Sequence, residues 1–286
     1  MRLTRIGGEQ MYRLGLYEKA IPNNIPFKEK LAIAGESGYD YLEISIDESE
    51  EKLRRLKWSV GQLRQLVKAT WDCGVPIGSM CLSGHRKFPL GEENPRSMEI
   101  MKEAIRFAGF CGIPLIQLAG YDTYYHQSTE ETRKRFLQNL FKATSMAATE
   151  GVLLGFETME TDFMDTVGKA MKFVSSVSSP FLGVYPDIGN LTNASLEYGD
   201  PVGVDLERGK GHIFAVHIKE TLPGHYREVP FGKGDVDFPR ILRACWDLGI
   251  RRYVTEFWYT GAEDWRKTVS ETSGFARKIL DSFSIT

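Results

Sequence analysis

The sequence contains no long apolar run, no marked excess of either charge and only four cysteines. No stretch is apolar for long enough to span a membrane, and residues 1–10 lack the apolar segment of a signal peptide, so we expect a cytoplasmic protein without membrane attachment. The formal net charge of -2 provides no basic stripe for binding phosphate backbones, which argues against a nucleic-acid partner. The cysteines are not closely paired in the sequence, so we interpret them as reduced core thiols.

The composition is that of a globular protein with an extensive core. Of the 286 residues, 42% are hydrophobic and 26% are charged. No Pro/Ser-rich linker or block of charge divides the chain, so we expect a single domain over residues 1–286. The first run typical of ordered structure opens at Met11, and residues 1–11 are expected to form a disordered leader.

Short apolar runs alternate with longer amphipathic segments along the whole chain. The predicted strands are 13–18, 39–46, 77–82, 115–118, 153–157, 182–187, 211–220 and 253–256. The predicted helices are 26–37, 59–73 (with Ser59 as N-cap), 96–110, 129–150, 164–175, 202–208, 238–248 and 262–280. Eightfold alternation at this length favours an α/β fold of the (β/α)₈ TIM-barrel type over an open doubly wound sheet.

Four ligand-type residues come at the ends of strands in the second half of the chain, each on the face predicted to point into the barrel. They are Glu157, Asp187, His217 and Glu256. Small residues on the same face, Gly155, Gly183 and Ala215, come two or four positions before Glu157, Asp187 and His217 and would lie below them in the barrel. Three carboxylates and an imidazole suit one divalent cation such as Zn²⁺, Mn²⁺, Co²⁺ or Mg²⁺. Each carboxylate alone could instead be a helix cap or a salt-bridge partner.

Six other polar residues are predicted to contact a substrate: Glu43, His85, Arg86, Lys87, Asn190 and Lys219. The basic run 85–87 could bind a phosphate group or the hydroxyls far from the metal, although such loops are often only solvated. Lys219 points inward and could neutralise a negative charge, or could form a salt bridge to Glu43. Asn190 could donate to substrate or close the turn that follows Asp187.

Several segments resemble the L-ribulose-5-phosphate (L-xylulose-5-phosphate) 3-epimerases of the xylose-isomerase-like barrel superfamily. The segments are Leu16-Tyr-Glu-Lys-Ala20, Met80-Cys-Leu-Ser-Gly-His-Arg-Lys-Phe-Pro-Leu-Gly91, Gln117-Leu-Ala-Gly-Tyr-Asp122, Tyr185-Pro-Asp-Ile-Gly-Asn-Leu191 and Val229-Pro-Phe-Gly-Lys-Gly234. The likeness runs from about Leu14 to near the C-terminus. The sequence departs from the family at Glu220 and Leu222, where Asp and Lys are expected, and Leu222 removes a possible phosphate contact.

The resemblance implies one divalent metal ion held by Glu157, Asp187, His217 and Glu256, with Glu157 and Glu256 also moving the proton. The reaction would invert C3 of a ketopentose 5-phosphate, interconverting L-ribulose 5-phosphate and L-xylulose 5-phosphate in carbohydrate catabolism. The proton on C3 is acidic because it adjoins the C2 carbonyl, and a metal ion that bridges O2 and O3 would stabilise the resulting enediolate.

Three alternatives remain open at this stage. The same metal site could serve an aldose–ketose isomerase, a 3-epimerase of unphosphorylated ketoses, or a sugar-phosphate-binding barrel without turnover. An abasic-site endonuclease of the same superfamily is disfavoured, because five histidines are too few for a trinuclear cluster. The expected partner is a small sugar phosphate, and because barrels of this type commonly pair, a homodimer is also expected.

Overall fold

The computed structural model describes residues 5–6 and 9–283, and eight parallel strands form its central sheet. The strands are β1 (Arg13–Tyr17), β2 (Tyr41–Ser45), β3 (Ile77–Leu82), β4 (Leu115–Ala119), β5 (Leu153–Glu157), β6 (Leu182–Val184), β7 (Val216–Ile218) and β8 (Arg252–Thr255). Each strand from β1 to β5 pairs with the next, and β8 pairs with both β1 and β7. Isolated parallel bridges between Val184 and Ile213 and between Asp187 and His217 close the ring. The predicted (β/α)₈ barrel is confirmed.

Ten α-helices among the described residues surround the strands. They are α1 (Phe27–Glu36), α2 (Glu50–Arg55), α3 (Val60–Cys73), α4 (Pro95–Cys111), α5 (Glu130–Glu150), α6 (Val167–Val177), α7 (Ile188–Tyr198), α8 (Val202–Glu207), α9 (Phe238–Asp247) and α10 (Trp265–Phe283). Single 3₁₀ turns follow β1 at Glu18–Ala20 and β3 at Ser83–Arg86. Ser59 is the N-cap of α3, as predicted, and forms a capping box with Gln62.

Two of these helices, α2 and α7, were not predicted from the sequence. The sequence of α7 contains glycine, threonine and two asparagines, all weak helix formers, so the segment after Asp187 was interpreted as a turn. Its first seven residues are buried and Asp187 caps its N-terminus, so packing and capping compensate for the low propensity. The prediction is corrected at this point: a helix, not a turn, follows β6.

Aromatic and small side chains fill the lower part of the barrel interior. The Tyr41 ring lies across β1 and β3 because Gly15 and Gly78 leave room for it: a Cβ on Gly15 would be only 2.3 Å from the ring. Gly183, predicted to face inward, is equally constrained, because a Cβ there would lie 2.3 Å from the carbonyl oxygen of His212. The interior therefore closes from below, and polar side chains gather at the C-terminal ends of the strands.

The predicted leader, residues 1–11, lies mostly outside the described residues. Within it, Arg5–Ile6 and Glu9–Gln10 pair as a short antiparallel hairpin. In the part of the chain that the structure describes, no helix combines the length and the apolar character needed to cross a membrane.

Candidate active site

The four predicted ligands converge above the C-terminal ends of β5 to β8. One potential ligand atom from each of Glu157, Asp187, His217 and Glu256 lies within 4.8 Å of every other, and all four residues are buried. His217 Nδ1 is 3.0 Å from Glu157 Oε1 and 3.6 Å from Glu256 Oε2. The period-2 alternation of the strands thus brings together residues that are up to 99 positions apart in the sequence.

Asp187 divides its two carboxylate oxygens between two roles. Oδ1 accepts a hydrogen bond of 2.8 Å from the backbone N–H of Asn190 and so caps α7. Oδ2 is buried and has no hydrogen-bond partner among the described residues, although Lys219 Nζ lies 3.0 Å away. Asp187 can therefore cap α7 and serve as a metal ligand at the same time, because each role uses a different carboxylate oxygen.

Glu43 orients the imidazole of His217 from the side opposite the other three ligands. His217 Nε2 is 2.7 Å from Glu43 Oε1, while the hydroxyls of Ser79 and Tyr185 donate to Glu43 Oε2 at 2.6 and 2.8 Å. Burial opposes charge on the imidazole, but the carboxylates of Glu43 and Glu256 outweigh it and hold the pKa of His217 well above its usual range. The ring is thereby fixed with Nδ1 directed at the ligand cluster.

The site fits a divalent cation on evidence from its own atoms. Asp187 Oδ2 and Glu256 Oε2 are both buried and have no hydrogen-bond partner among the described residues, and the single charge of Lys219, 3.0 and 3.6 Å away, is shared between them. Buried carboxylate oxygens are costly in this state, and a bound divalent cation would satisfy them. Burial raises the pKa of Asp187 to about 6, even though Lys219 acts in the opposite direction. Oxygen atoms and one imidazole nitrogen are the donors that such ions prefer.

Lys219 and Asn190 lie beside this cluster. Lys219 Nζ donates to Asn190 Oδ1 at 2.8 Å and is 3.6 Å from Glu256 Oε2. Burial disfavours the ammonium form, but Asp187 and Glu256 nevertheless raise the pKa of Lys219 above its usual value. The salt bridge to Glu43 that the sequence left open is not formed, because Glu43 bonds to His217 instead.

The three residues of the predicted basic run 85–87 lie in three different environments. The ring of His85 is buried, with Nε2 3.1 Å from the carbonyl oxygen of Ser97, and burial lowers the pKa of His85 to about 4. Lys87 is exposed and lines a neighbouring surface cavity. Only Arg86 lines the cavity above the ligands. The 3₁₀ turn at Ser83–Arg86 turns adjacent side chains in different directions, which the sequence did not indicate.

Several residues of the site were missed. The cavity above the ligands is also lined by Tyr17, Lys19, Cys81, Ser83, Met159, Glu160, Tyr226, Arg227 and Trp258. Gln117, on β4, donates its side-chain amide to Glu157 Oε2 and so holds that carboxylate in place. Tyr17, Cys81 and Gln117 could have been found by extending the inward parity to β1, β3 and β4. The others lie in loops and 3₁₀ turns, where no strand periodicity marks them.

Comparison with known proteins defines the class. Residues 31–279 match the model of the xylose isomerase-like TIM barrel family, and the chain belongs to that family. The L-ribulose-5-phosphate 3-epimerase UlaE of Escherichia coli O139:H28 (strain E24377A / ETEC) is 43% identical over 256 residues, which are 88% of this chain and 89% of that protein. UlaE of Salmonella heidelberg (strain SL476) is 43% identical over 274 residues, 94% of this chain and 95% of that protein.

These relatives confirm the family resemblance predicted from the sequence, and the chain is an enzyme of the isomerase class. A solved structure supports the fold independently. The crystal structure of D-psicose 3-epimerase in the presence of D-fructose matches with a TM-score of 0.77 and 16% sequence identity, covering 94% of this chain and 99% of that chain. At this level of identity the likeness concerns the fold alone.

Proposed function

We propose that this protein is a metal-dependent 3-epimerase that interconverts L-ribulose 5-phosphate and L-xylulose 5-phosphate. The observation that carries the proposal is the pair of buried glutamates, Glu157 and Glu256, in one cluster with Asp187 and His217. The relatives named L-ribulose-5-phosphate 3-epimerase, at 43% identity over most of the chain, support the choice of substrate.

Inversion at C3 needs two proton-transferring groups on opposite faces of the sugar. The C3 proton adjoins the C2 carbonyl, so its removal leaves negative charge that spreads onto the oxygen of C2. Glu157 ends β5 and Glu256 follows β8, and two strands separate them around the ring. One carboxylate can therefore remove the proton from one face while the other returns a proton to the opposite face.

The two glutamates differ in how firmly they are held. Glu157 is bonded through Oε1 to His217 and through Oε2 to Gln117, whereas Glu256 Oε2 has no hydrogen-bond partner among the described residues. Lys219 Nζ lies 3.6 Å from that free oxygen and adds positive charge beside the reacting carbons. The rings of Tyr17 and Trp258, whose centroids are 6.0 Å apart, also line the cavity and give it an aromatic surface.

The ion would be held by Glu157, Asp187, His217 and Glu256. When bound, it would supply positive charge near the oxygen of C2, where negative charge develops. His217 must give up a proton to act as a ligand, and Glu43 accepts from its other nitrogen and keeps the required tautomer.

Reaction of L-ribulose 5-phosphate in D₂O tests the proposal. We expect conversion to L-xylulose 5-phosphate, with deuterium entering at C3 and not at C1. Proton NMR would monitor the reaction. Removal of metal with a chelator should abolish the reaction, and Mn²⁺, Co²⁺, Mg²⁺ or Zn²⁺ should restore it. An aldose product would instead identify an aldose–ketose isomerase, and an unaltered sugar would identify a binding protein.

Substituting each glutamate in turn tests which face of the sugar each carboxylate serves. Glu157→Gln and Glu256→Gln should each reduce epimerisation by about 10²- to 10⁴-fold. Each variant should still exchange the C3 proton of one epimer with solvent, and the two variants should exchange opposite epimers. Metal content must be measured in parallel, because both residues are also ligands. Glu271→Gln, at an exposed position of α10, is the matched control. Near-wild-type epimerisation by either metal-loaded variant would contradict the two-glutamate mechanism.

A further inference from the structure

The buried carboxylate of Glu220 is not used by the proposed chemistry. Glu220 follows β7 and is 1% exposed. Its Oε1 atom accepts hydrogen bonds of 3.1 Å from the backbone N–H groups of Thr221 and Val236, and its Oε2 atom accepts one of 2.9 Å from that of Gly232. Hydrogen bonds to a carboxylate are stronger than those between neutral groups. One side chain thus joins the beginning and the end of the loop that runs from β7 to α9.

The base of this loop is tightly packed. Glycine is required at Gly234, because a Cβ there would lie 2.6 Å from Glu220 Oε1 and 2.1 Å from the carbonyl oxygen of Thr221. The ring of Phe231 stacks on that of Phe238, at the start of α9, with centroids 5.6 Å apart. Because the space and the hydrogen bonds at the base are both fully used, a different side chain in place of Glu220 would shift the loop.

Asn193 of α7 provides a second anchor for the same loop. Its Nδ2 atom donates to Thr221 Oγ1 at 2.5 Å, and its Oδ1 atom accepts from the backbone N–H of Gly224 at 2.8 Å. Asn193 is buried, and α7 begins directly after the ligand-type residue Asp187. The loop is therefore held in a fixed position relative to the proposed metal site.

The far part of the loop forms one wall of the substrate cavity. Tyr226 and Arg227 line that cavity together with Glu157 and Glu256. The contact between Arg227 Nη2 and Glu160 Oε1 is 3.5 Å long, and the two side chains are 42% and 21% exposed, so this ion pair contributes little to the position of the wall. The wall depends instead on the anchors at the base of the loop.

We propose that Glu220 is a positioning residue of this enzyme, which holds the β7–α9 loop so that Tyr226 and Arg227 enclose the substrate. This inference rests on the proposed function. Glu220 is not among the residues found to line the cavity, so its effect reaches the substrate through the loop. Both of its oxygens accept from N–H groups, and glutamine would place an NH₂ group against a donor in either orientation. Glu220→Gln should therefore loosen the loop while the four ligand-type residues stay in place.

The test is the steady-state kinetics of L-ribulose 5-phosphate conversion by Mn²⁺-loaded protein. Glu220→Gln should raise KM by about 10-fold, because a charge-assisted hydrogen bond at the base of the loop is lost, and should leave kcat and the affinity for Mn²⁺ within about threefold of the wild type. Glu220→Asp keeps two acceptor oxygens and should recover part of the change in KM. A general loss of structure would not separate KM from metal affinity in this way.

A second variant reaches the loop through the other anchor. Asn193→Ala should raise KM by about threefold, because neutral hydrogen bonds are lost. The double variant should show less than the product of the two effects, because both substitutions act on one loop. Asp40→Asn is the control, because Asp40 accepts from the backbone N–H of Leu14 at 2.7 Å at the opposite end of the barrel, just before β2. Its KM should equal that of the wild type.

Calorimetric binding of L-ribulose 5-phosphate and of Mn²⁺ to the same proteins separates the outcomes. If the wild type epimerises and both Glu220→Gln and Asn193→Ala keep its KM, the positioning role is overturned. A loss of Mn²⁺ affinity in Glu220→Gln equal to the rise in KM, or the same rise in Asp40→Asn, would also overturn it. If the wild type binds the sugar phosphate without converting it, and Glu220→Gln weakens that binding, the positioning role stands and the proposed epimerase falls. If the wild type neither binds nor converts the sugar phosphate, both fall.

Discussion

Replacement of Glu43 by glutamine should weaken metal binding without touching a ligand. Glu43 is fully buried and receives hydrogen bonds from three groups, His217 Nε2 and the hydroxyls of Ser79 and Tyr185. Glutamine offers one carbonyl oxygen and one NH₂ group in the same space. If the NH₂ group faces His217, Nε2 becomes an acceptor and the proton moves to Nδ1, the atom that faces the ligand cluster. If the carbonyl faces His217, the tautomer is kept but the neighbouring negative charge is lost.

Either arrangement makes His217 a poorer ligand, and loss of such a supporting carboxylate typically reduces metal affinity by about 10- to 100-fold, or about 1.4 to 2.8 kcal/mol. The assay is calorimetric titration of chelator-treated protein with Mn²⁺ at fixed pH. Ser79→Ala is the matched control, because it removes a donor to Glu43 but leaves the carboxylate beside His217. A Glu43→Gln variant that binds Mn²⁺ within twofold of wild type would refute this reasoning. An equal loss in Ser79→Ala would attribute the effect to local packing.

Two further predictions concern stability. Glu18 is fully buried and neutralises three buried cations, Lys30, Lys52 and Arg55. Glu18→Gln should therefore lower the free energy of unfolding, measured by urea denaturation, by about 3–5 kcal/mol. Glu29→Gln, which removes a charge from an exposed ion pair, is the control and should cost less than about 1 kcal/mol. Similar losses in the two variants would contradict the argument. Burial lowers the pKa of His85 to about 4, below its unfolded value of about 6.5, so the unfolded state binds the proton first. Stability should fall by about 3 kcal/mol between pH 6.5 and pH 4 from this group, and a His85→Gln variant with the same pH profile as wild type would contradict it.

The ligand cluster could be predicted because a strand has a fixed period. Side chains alternate between the two faces, so a residue at an inward position next to the end of a strand must reach the C-terminal rim of the barrel. Glu157, His217 and Glu256 satisfy this rule directly. Asp187 satisfies it although β6 ends at Val184, because an isolated bridge to His217 continues the pairing at Asp187, two inward positions beyond Gly183. The prediction thus depended on strand parity rather than on the exact ends of the strands.

The contacts beyond the ligands could not be predicted in this way. His85 and Arg86 are neighbours in the sequence, yet the first bonds to the carbonyl of Ser97 and the second lines the cavity. The difference arises from a 3₁₀ turn whose geometry depends on packing against other elements. Arg227 was missed for the same reason, since a loop without periodicity gives no indication of which side chain turns inward. Helix α7 was missed because tertiary burial overrides its weak helix propensity.

The charge balance of the ligand cluster explains why many hydrogen bonds from the surrounding barrel hold its carboxylates in place. Glu43, Glu157, Asp187 and Glu256 are buried together, and among the described residues the cations paired with them are His217 and Lys219. Burying uncompensated negative charge is unfavourable, so the carboxylates would separate unless other bonds held them. Capping of α7, the Gln117 amide and the hydroxyls that donate to Glu43 provide those bonds. The fold thus holds an excess of negative charge in fixed positions. That excess is what a divalent cation requires.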